Sequence, residues 1–471
     1  MKKIEMLIKK IFWLPFIIGF IGYYFLGELP FWESVYATSA LYFVNPVSEI
    51  NNLFVLIAKI LAVIFITSII VSLMNTFVTS IDHFIKRKFK DSTTIYTDNE
   101  MGYVLNSNTK HGYIIENKKT RKLENTKCHI VMFSNDYDNI SFYTTHQNEL
   151  KNKNVYILTN HIDSFLLRPM HNNNVHFFNI YELTARLYWQ KYSLLKYLNN
   201  KKIKIAIIGN GNIAFSIFKF GYLNNIYSLN QEIEYHLWGF DSTQKDFLEN
   251  LEFVNNDVVK YYDDEIYRNI NKIINMDRII IAKEKEELDT LQQILYKSLT
   301  IDIHFYSVTK NILKDIFMGE NIEVFGDSND ILKESIIKGD LLNKQGKLMN
   351  FDYYLRKNNM KFPNNYKTLM EQCWDELDGF KKGSSIARAD YYWIQKWLKE
   401  HTIIKQNELM ELEHIRWCRY HYINHWSYGK ERDDLLRKHN LLVPYNELPL
   451  EEKLKDSIYN DIIKKEINSL I

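Results

Sequence analysis

Cysteine is scarce in this chain of 471 residues, occurring three times, at Cys128, Cys373 and Cys418. An odd number at wide spacing excludes a disulfide framework and fits a reducing compartment. Net charge is equally small, +2 from near-equal acids and bases, so there is no basic field to hold nucleic acid. Proline numbers only seven, and two of these, Pro444 and Pro449, fall together in one late segment. There they stiffen the chain and forbid helix. Signatures of hydrolases and other enzymes are missing as well, so no catalytic residue is nominated and no enzyme is expected. The nearest approach to a metal motif is His414, Cys418, His421 and His425. On one straight helix these spread over about 16 Å and cannot converge on one tetrahedral zinc, so no metal is expected.

What is present begins with two apolar runs. Ile11–Leu26 carries no charge, and Leu53–Met74 carries only Lys59. Twenty-two helical residues reach about 33 Å, enough for a hydrocarbon core of about 30 Å. A signal peptide would also explain Lys2 and Lys3 before an apolar run, but a second full span follows. Lys2, Lys3, Lys9 and Lys10 precede the first run, and Lys86, Arg87, Lys88 and Lys90 follow the second. Residues 27–52 between them hold Glu28, Glu33 and Glu49 but no Lys or Arg. Both termini are therefore expected on the cytoplasmic side of the inner (plasma) membrane. Lys59 either faces a bundle interior or snorkels outward.

The stretch Phe31–Tyr42 is too apolar for a surface loop and reads as a short helix dipping back into the membrane. Span, re-entrant helix and span together resemble two-transmembrane channels of the potassium-channel type, over roughly Ile11–Asn75. That resemblance implies a pore closed by symmetry as a homotetramer in membrane lipid. The family's Thr-Val-Gly-Tyr-Gly filter is absent. Leu41-Tyr42-Phe43-Val44-Asn45-Pro46 stands in its place, so a ring of carbonyls for dehydrated potassium is not implied. Tyr42, Asn45 and Glu49 are the pore candidates, and for Asn45 and Glu49 a solvated turn is the competing reading.

Residues 1–84 thus form an expected pore domain, and 85–127, polar and weakly periodic, an expected connector. Strand-like pieces there are limited to Thr94–Tyr96 and Tyr113–Ile115. Two α/β domains follow. In the first, 128–200, Cys128–Phe133, Val155–Leu158 and Val175–Phe178 alternate with helix-length gaps, as in a parallel sheet. A helix over about Ile180–Leu198 closes it. Its first turn, Ser134-Asn135-Asp136, has no glycine, so phosphate cannot approach and the domain is expected to be a non-binding copy. In the second, 201–330, Lys204–Ile208 runs into Gly209-Asn210-Gly211-Asn212-Ile213-Ala214 and a helix. Gly209 would make the tight turn, Gly211 admit a pyrophosphate, and Ala214 pack helix on strand. Asp241 would take ribose hydroxyls, although it trails Gly211 by 30 residues rather than the usual ~20. The cofactor such a turn takes is NAD(H) or an adenine nucleotide; packing alone also explains the glycines. Tandem sheets behind a two-span segment, with the junction Val175–Arg186, resemble RCK (regulator of potassium conductance) domains over about Lys127–Asp327.

The last segment, 331–471, is expected to be mainly α. Leu409, Leu412, Arg416, Trp417 and Tyr420 recur at helical spacing, and Gly429 is the expected left-handed stop. Glu413-His414-x-Arg416-Trp417, Trp426-x-Tyr428-Gly429, Arg432-Asp433-Asp434, Leu442-Val443-Pro444-Tyr445 and Glu447-Leu448-Pro449 follow in order, with Ser385-x-x-x-Ala389-Asp390 before them. These blocks resemble the ryanodine-receptor (RyR) repeat domain in its prokaryotic form over roughly Met370–Asp456. An aromatic clamp of Trp417, Trp426, Tyr428 and Tyr445 would take a base, Arg388, Arg416 and Arg432 phosphates, with Asp433 beside them. For Trp417 and Trp426 a place in the core is the competing reading.

Together the resemblances imply a ligand-gated membrane channel. Its RyR domain would sense a nucleotide-derived messenger (an adenine nucleotide or a cyclic ADP-ribose-like molecule) and open a tetrameric pore in antiviral defence. The alternative is a housekeeping channel or uptake regulator set by NAD(H) or ATP at Gly209–Ala214. A membrane-anchored scaffold without a pore is the third reading.

Overall fold

The structure, a computed structural model, describes residues 13–43, 45, 47–86, 91–116, 123–163, 174–262, 266–284, 287–309, 321–339, 343–458 and 460–470. The chain forms two compact units, Met1–Phe89 and Lys90–Ile471. Lys2, Lys3, Lys9, Lys10, Ile11, Val44, Pro46, Arg87, Lys88 and Lys90, used above for orientation or the filter, lie outside the described residues.

The first unit holds α1 (Leu14–Tyr24), α2 (Phe31–Ala40), a 3-10 turn (Leu41–Phe43) and α3 (Leu53–Lys86). Only α3 is long and apolar enough among the described residues to cross a membrane, through Leu53–Met74. The first apolar run is represented among the described residues by the shorter apolar helix α1. Helix α1 has 11 residues, about 16 Å, and it ends before Gly27 and Glu28, whose φ of 51° no helix can continue. Small residues let α1 approach its neighbours. A Cβ on Gly19 would stand 3.0 Å from Thr38 Cγ2, and one on Gly22 would stand 2.9 Å from the Val55 backbone. Asn52 Nδ2 donates to Gly22 O at 2.7 Å, tying the start of α3 to α1.

The second unit opens with β1 (Thr93–Tyr96), α4 (Glu100–Ser107), β2 (Gly112–Ile115), β3 (Cys128–Val131), α5 (Asp136–His146), β4 (Asn154–Leu158), β5 (Val175–Phe178) and α6 (Ile180–Lys191). The five strands pair in parallel in the order β2-β1-β3-β4-β5. The stretch read as a connector thus supplies two strands, one of them between β2 and β3. Its threonines are buried there because each hydroxyl is bonded. Thr94 Oγ1 pairs with Thr126 Oγ1 at 2.7 Å, and Thr97 Oγ1 donates to Met132 O at 3.2 Å.

Next come β6 (Ile203–Ile208), α7 (Gly211–Asn224), β7 (Ile233–Trp238), α8 (Ser242–Glu249), β8 (Val258–Tyr262), α9 (Ile266–Ile273), β9 (Arg278–Ile281), α10 (Glu287–Leu295), β10 (Ile303–Tyr306) and β11 (Ile322–Phe325). All six strands are parallel, ordered β8-β7-β6-β9-β10-β11. That is the doubly wound dinucleotide-binding order, with its reversal between β6 and β9. Both sheets are Rossmann-like. The chain then returns to the first sheet, where α11 (Ser328–Ile331) and α12 (Glu334–Ile337) bury Ile331, Leu332, Ile336 and Ile337 against Ile95 and Ile130.

The remaining helices are α13 (Lys344–Lys357), α14 (Tyr366–Asp375), α15 (Gly379–His401), α16 (Gln406–Ile423), α17 (Leu450–Leu454) and α18 (Asp461–Asn468), with a two-residue pair β12 (Ser427–Tyr428) and β13 (Lys438–His439). Helices α15 and α16 share one core with α7: Ala387, Tyr391, Ile394, Leu412, Ile415 and Tyr420 pack with Ile213, Ile217 and Phe218. Arg419 on α16 fastens that contact. It donates to Phe253 O (3.0 Å), Tyr222 O (2.8 Å), Asn255 Oδ1 (2.8 Å) and Asp257 Oδ2 (2.7 Å). Both Arg419 and Asp257 side chains are wholly buried. Arg186 on α6 makes the matching fork to Asp390 on α15, at 2.6 and 3.0 Å.

Removing one partner of a buried pair strands the other charge, at a cost of about 3–5 kcal/mol. Arg419→Met is expected to lower stability by that amount, read as the urea midpoint of the full chain in detergent, whereas Arg432→Met leaves the midpoint within about 0.5 kcal/mol.

Candidate functional site

The glycine turn after β6 is built as a cradle. A Cβ on Gly209 would stand 2.1 Å from Ala282 O and 3.3 Å from Ala214 Cβ, so this glycine is demanded by packing at the point where the strand order reverses. Gly211 is different: its φ is +75°, and a Cβ there would meet nothing within 4 Å. Ala214 is buried beneath it. Asn210 places no side-chain cap on α7, and an uncapped helix start is the arrangement an anion uses. These residues fit a nucleotide's pyrophosphate. Asp241 lies on the neighbouring strand's exit but accepts from Gln244 N at 2.8 Å in a capping box that starts α8. Oδ1 is thus committed to the helix, and ribose contact would fall to Oδ2.

The first sheet is closed by its own carboxylates. At the reversal between β1 and β3, Asp98 Oδ1 accepts from Ser134 N (2.7 Å) and Ser134 Oγ (2.9 Å). After β4, Asp136 accepts from the amides of Asn160, His161 and Ile162 at 3.0, 2.7 and 3.0 Å. Amides that could hold a ligand's phosphate already hold a protein's anion.

In the C-terminal helices the eight candidates separate. Arg416 is 1 % exposed and bonds Glu413 through Nε (3.1 Å to each oxygen) and Nη2 (2.9 Å), while Arg388 Nε reaches the same carboxylate at 3.6 Å. Two of the three arginines thus share one buried acid. Trp426 is buried with Cys418 and Leu442, and half-buried Trp417 packs on that cluster. The core reading holds for Trp426. Trp417 and Tyr445 both face His414, at 5.7 and 5.9 Å between ring centroids. Only Tyr428 and Arg432 present themselves to solvent. Tyr428 is 53 % exposed, and Arg432 is bound to Asp434 at 2.7 Å. Asp433 is occupied as a turn acceptor for Leu435 N and Leu436 N, at 2.9 and 3.0 Å.

The left-handed stop of α16 is His425, with φ +65°, and not Gly429. Gly429 is needed instead because β12 and β13 approach closely, leaving a Cβ only 2.8 Å from Lys438 Cβ. Among the described residues no group of three or more metal-ligating side chains assembles. The histidines of α16 are structural: His421 bonds Trp417 O at 2.9 Å and His414 bonds Val443 O at 2.8 Å. Burial lowers the His421 imidazole to about 3.

In the first unit, Tyr42 is half-buried edge-on to Phe65 at 5.9 Å, while Asn45 and Glu49 are exposed. Lys59 donates to Asn51 Oδ1 at 2.6 Å, reaching back toward the start of α3 as a snorkelling lysine does.

Residues 395–470 match the RyR domain family. The matched region starts within α15, later than Met370, and runs beyond Asp456 through α18. No curated protein and no solved structure matches the chain.

Nothing local in the sequence marks Arg419 and Asp257 as partners. An arginine among helix-face apolar residues was the only signal, and its partner lies 162 residues away. Asp456 was noticed only as the last residue of the RyR resemblance. Burial, with Glu413 beside it, pushes its carboxyl up to about 8 against the pull of Arg388 and Arg416. In the unfolded chain an aspartate titrates near 3.9. The folded chain therefore keeps a proton between about pH 4 and 8 that the unfolded chain has lost, and the associated stability disappears as pH rises through that window. The melting temperature of the wild type is expected to fall more steeply between pH 5 and 8.5 than that of Asp456→Asn; parallel curves would assign the carboxyl an ordinary titration.

Proposed function

We propose that this chain is a membrane-anchored, ligand-controlled effector. Its RyR domain senses a nucleotide-derived messenger, and its membrane unit, assembled as a homotetramer at the inner membrane, opens a pore. Defence against viruses is the setting that the resemblance implies. The observation that supports the reading is the burial of α16 in the second sheet's core. The RyR-type helix shares Ile415 and Tyr420 with α7 and is bolted at Arg419. A change at its turn is therefore delivered to the sheets without a flexible linker. The apolar span Leu53–Met74 supports the anchoring.

The glycine cradle favours a second reading, in which NAD(H) or ATP at Gly209–Ala214 sets the state of a housekeeping channel or uptake regulator. Open space above Gly211 and the uncapped start of α7 are its support.

Ion flux from liposomes separates the two. Under the first reading, flux appears only with an adenine-nucleotide or cyclic ADP-ribose-like messenger. It then falls at least tenfold in Arg432→Ala and persists in Gly211→Ala. Loss through Gly211→Ala with retention in Arg432→Ala selects the second reading. Absence of flux with every ligand rejects both and leaves a non-conducting scaffold.

A further inference from the structure

A cleft of about 480 Å³ lies where the first sheet, α7 and the start of α15 meet. Its volume is that of a small-molecule pocket. It is separate from the exposed turn carrying Tyr428 and Arg432, and most of its wall precedes residue 395. Its walls carry aromatic rings: Tyr156 and His176 stack at 5.0 Å, and Trp374 also lines it, with Lys382 Nζ at 6.0 Å from its ring centroid.

The charges lining this cleft are mostly consumed. Lys219 is held by Glu182 (2.7 Å), Lys338 by Glu334, and Arg186 by Asp390. Asp378 caps α15 through Lys381 N (2.8 Å) and pairs with the Lys381 side chain. Asp163 stands at the margin. Lys382 and Asp375 are the exceptions. Among the described residues neither side chain closes a hydrogen bond or ion pair. Burial lowers the Lys382 amine and raises the Asp375 carboxyl, each only partly relieved by the other. Burial, together with Lys382 and Lys347, also drives His176 down to about 4.

A half-buried cation and a half-buried acceptor that close no hydrogen bond or ion pair, in a cleft lined by aromatic rings, define a complement. It is a planar ring bearing an anionic group for Lys382 and N–H or O–H donors for Asp375. A nucleotide carries all three features. We propose that this cleft is a nucleotide-binding site, additional to the RyR turn and the glycine cradle. Its occupant would touch the first sheet, α7 and α15 at once.

Calorimetric titration of the full chain in detergent with ATP, NAD+ and ADP-ribose tests this. At least one probe is expected to bind saturably. In a Gly211→Ala, Arg432→Ala background, which removes the other two candidate sites, affinity should fall at least tenfold on adding Lys382→Ala and further with Lys382→Glu, and recover with Lys382→Arg. Lys382 is partly exposed, so these variants are expected to fold, and an unchanged melting temperature checks it. In that background, undiminished binding in Lys382→Glu, or no saturable binding by any of the three probes, overturns the proposal.

Discussion

Arg419 and Asp257 form an ion pair from which water is excluded on every side, and the architecture of the second unit depends on it. Taking two charges out of water costs several kcal/mol each, and the attraction offsets this only when the remaining bonding capacity is filled. Here it is. Beyond Arg419, Asp257 accepts from Ile233 N and Gln231 Nε2, both at 2.7 Å. The guanidinium also lies against the Tyr222 and Phe253 rings, at 4.8 and 5.6 Å. A planar donor fork with four fixed acceptors allows one rotation of α16 about its axis. A hydrophobic contact of similar area would tolerate several. The pair therefore fixes register as well as contributing adhesion.

That fixed register explains why the two sheets differ in what they leave open. The first sheet fills its own amide nests with Asp98 and Asp136, so its carboxyl edge is stiff and already neutralised. The second keeps the start of α7 uncapped, yet Asn212 on the same turn donates to Asn160 O and contacts His161 Nδ1, both at 2.8 Å. Asn160 and His161 are the residues whose amides Asp136 holds. A ligand drawn to the α7 amides would thus press on a loop anchored in the other sheet. Coupling between the sheets follows from these shared residues.

Much of this was legible in the sequence. Strand, glycine turn and helix over Lys204–Phe215 could be read because each step has a local cause: β-branched strand, positive φ at Gly211, and close packing at Gly209. The RyR-like blocks were legible through their order. Thr94–Tyr96 and Tyr113–Ile115 read as strands, but their place in the first sheet was not legible, because the threonines look like linker chemistry until Thr126 and Met132 supply partners from elsewhere in the chain. The stop of α16 was placed at Gly429 because glycine is the usual left-handed residue, but His425 adopts that conformation and Gly429 answers a different demand. Arg388, Arg416 and Arg432 looked alike as phosphate ligands. What separates them is Glu413, three residues from Arg416 and so visible as a helical pair, whose burial no local pattern reveals.

The division among those arginines limits what an input to the C-terminal helices can do. Arg416 and Arg388 are neutralised inside the fold, so a ligand phosphate that displaced Glu413 would leave a buried carboxylate beside Asp456. That is a larger penalty than one ligand bond returns. Arg432 exchanges an exposed carboxylate for a ligand at little cost, since surface pairs contribute about 0–1 kcal/mol. Under the proposed function a phosphate entering from solvent would therefore be taken up at the turn and not at the buried arginines, and the buried cluster would act as a rigid strut. Interiors at crystal-like density do not deform by degrees. A strut of this kind would pass a displacement to α7 whole, so that a response of the sheets under the proposed function would be a switch between packings.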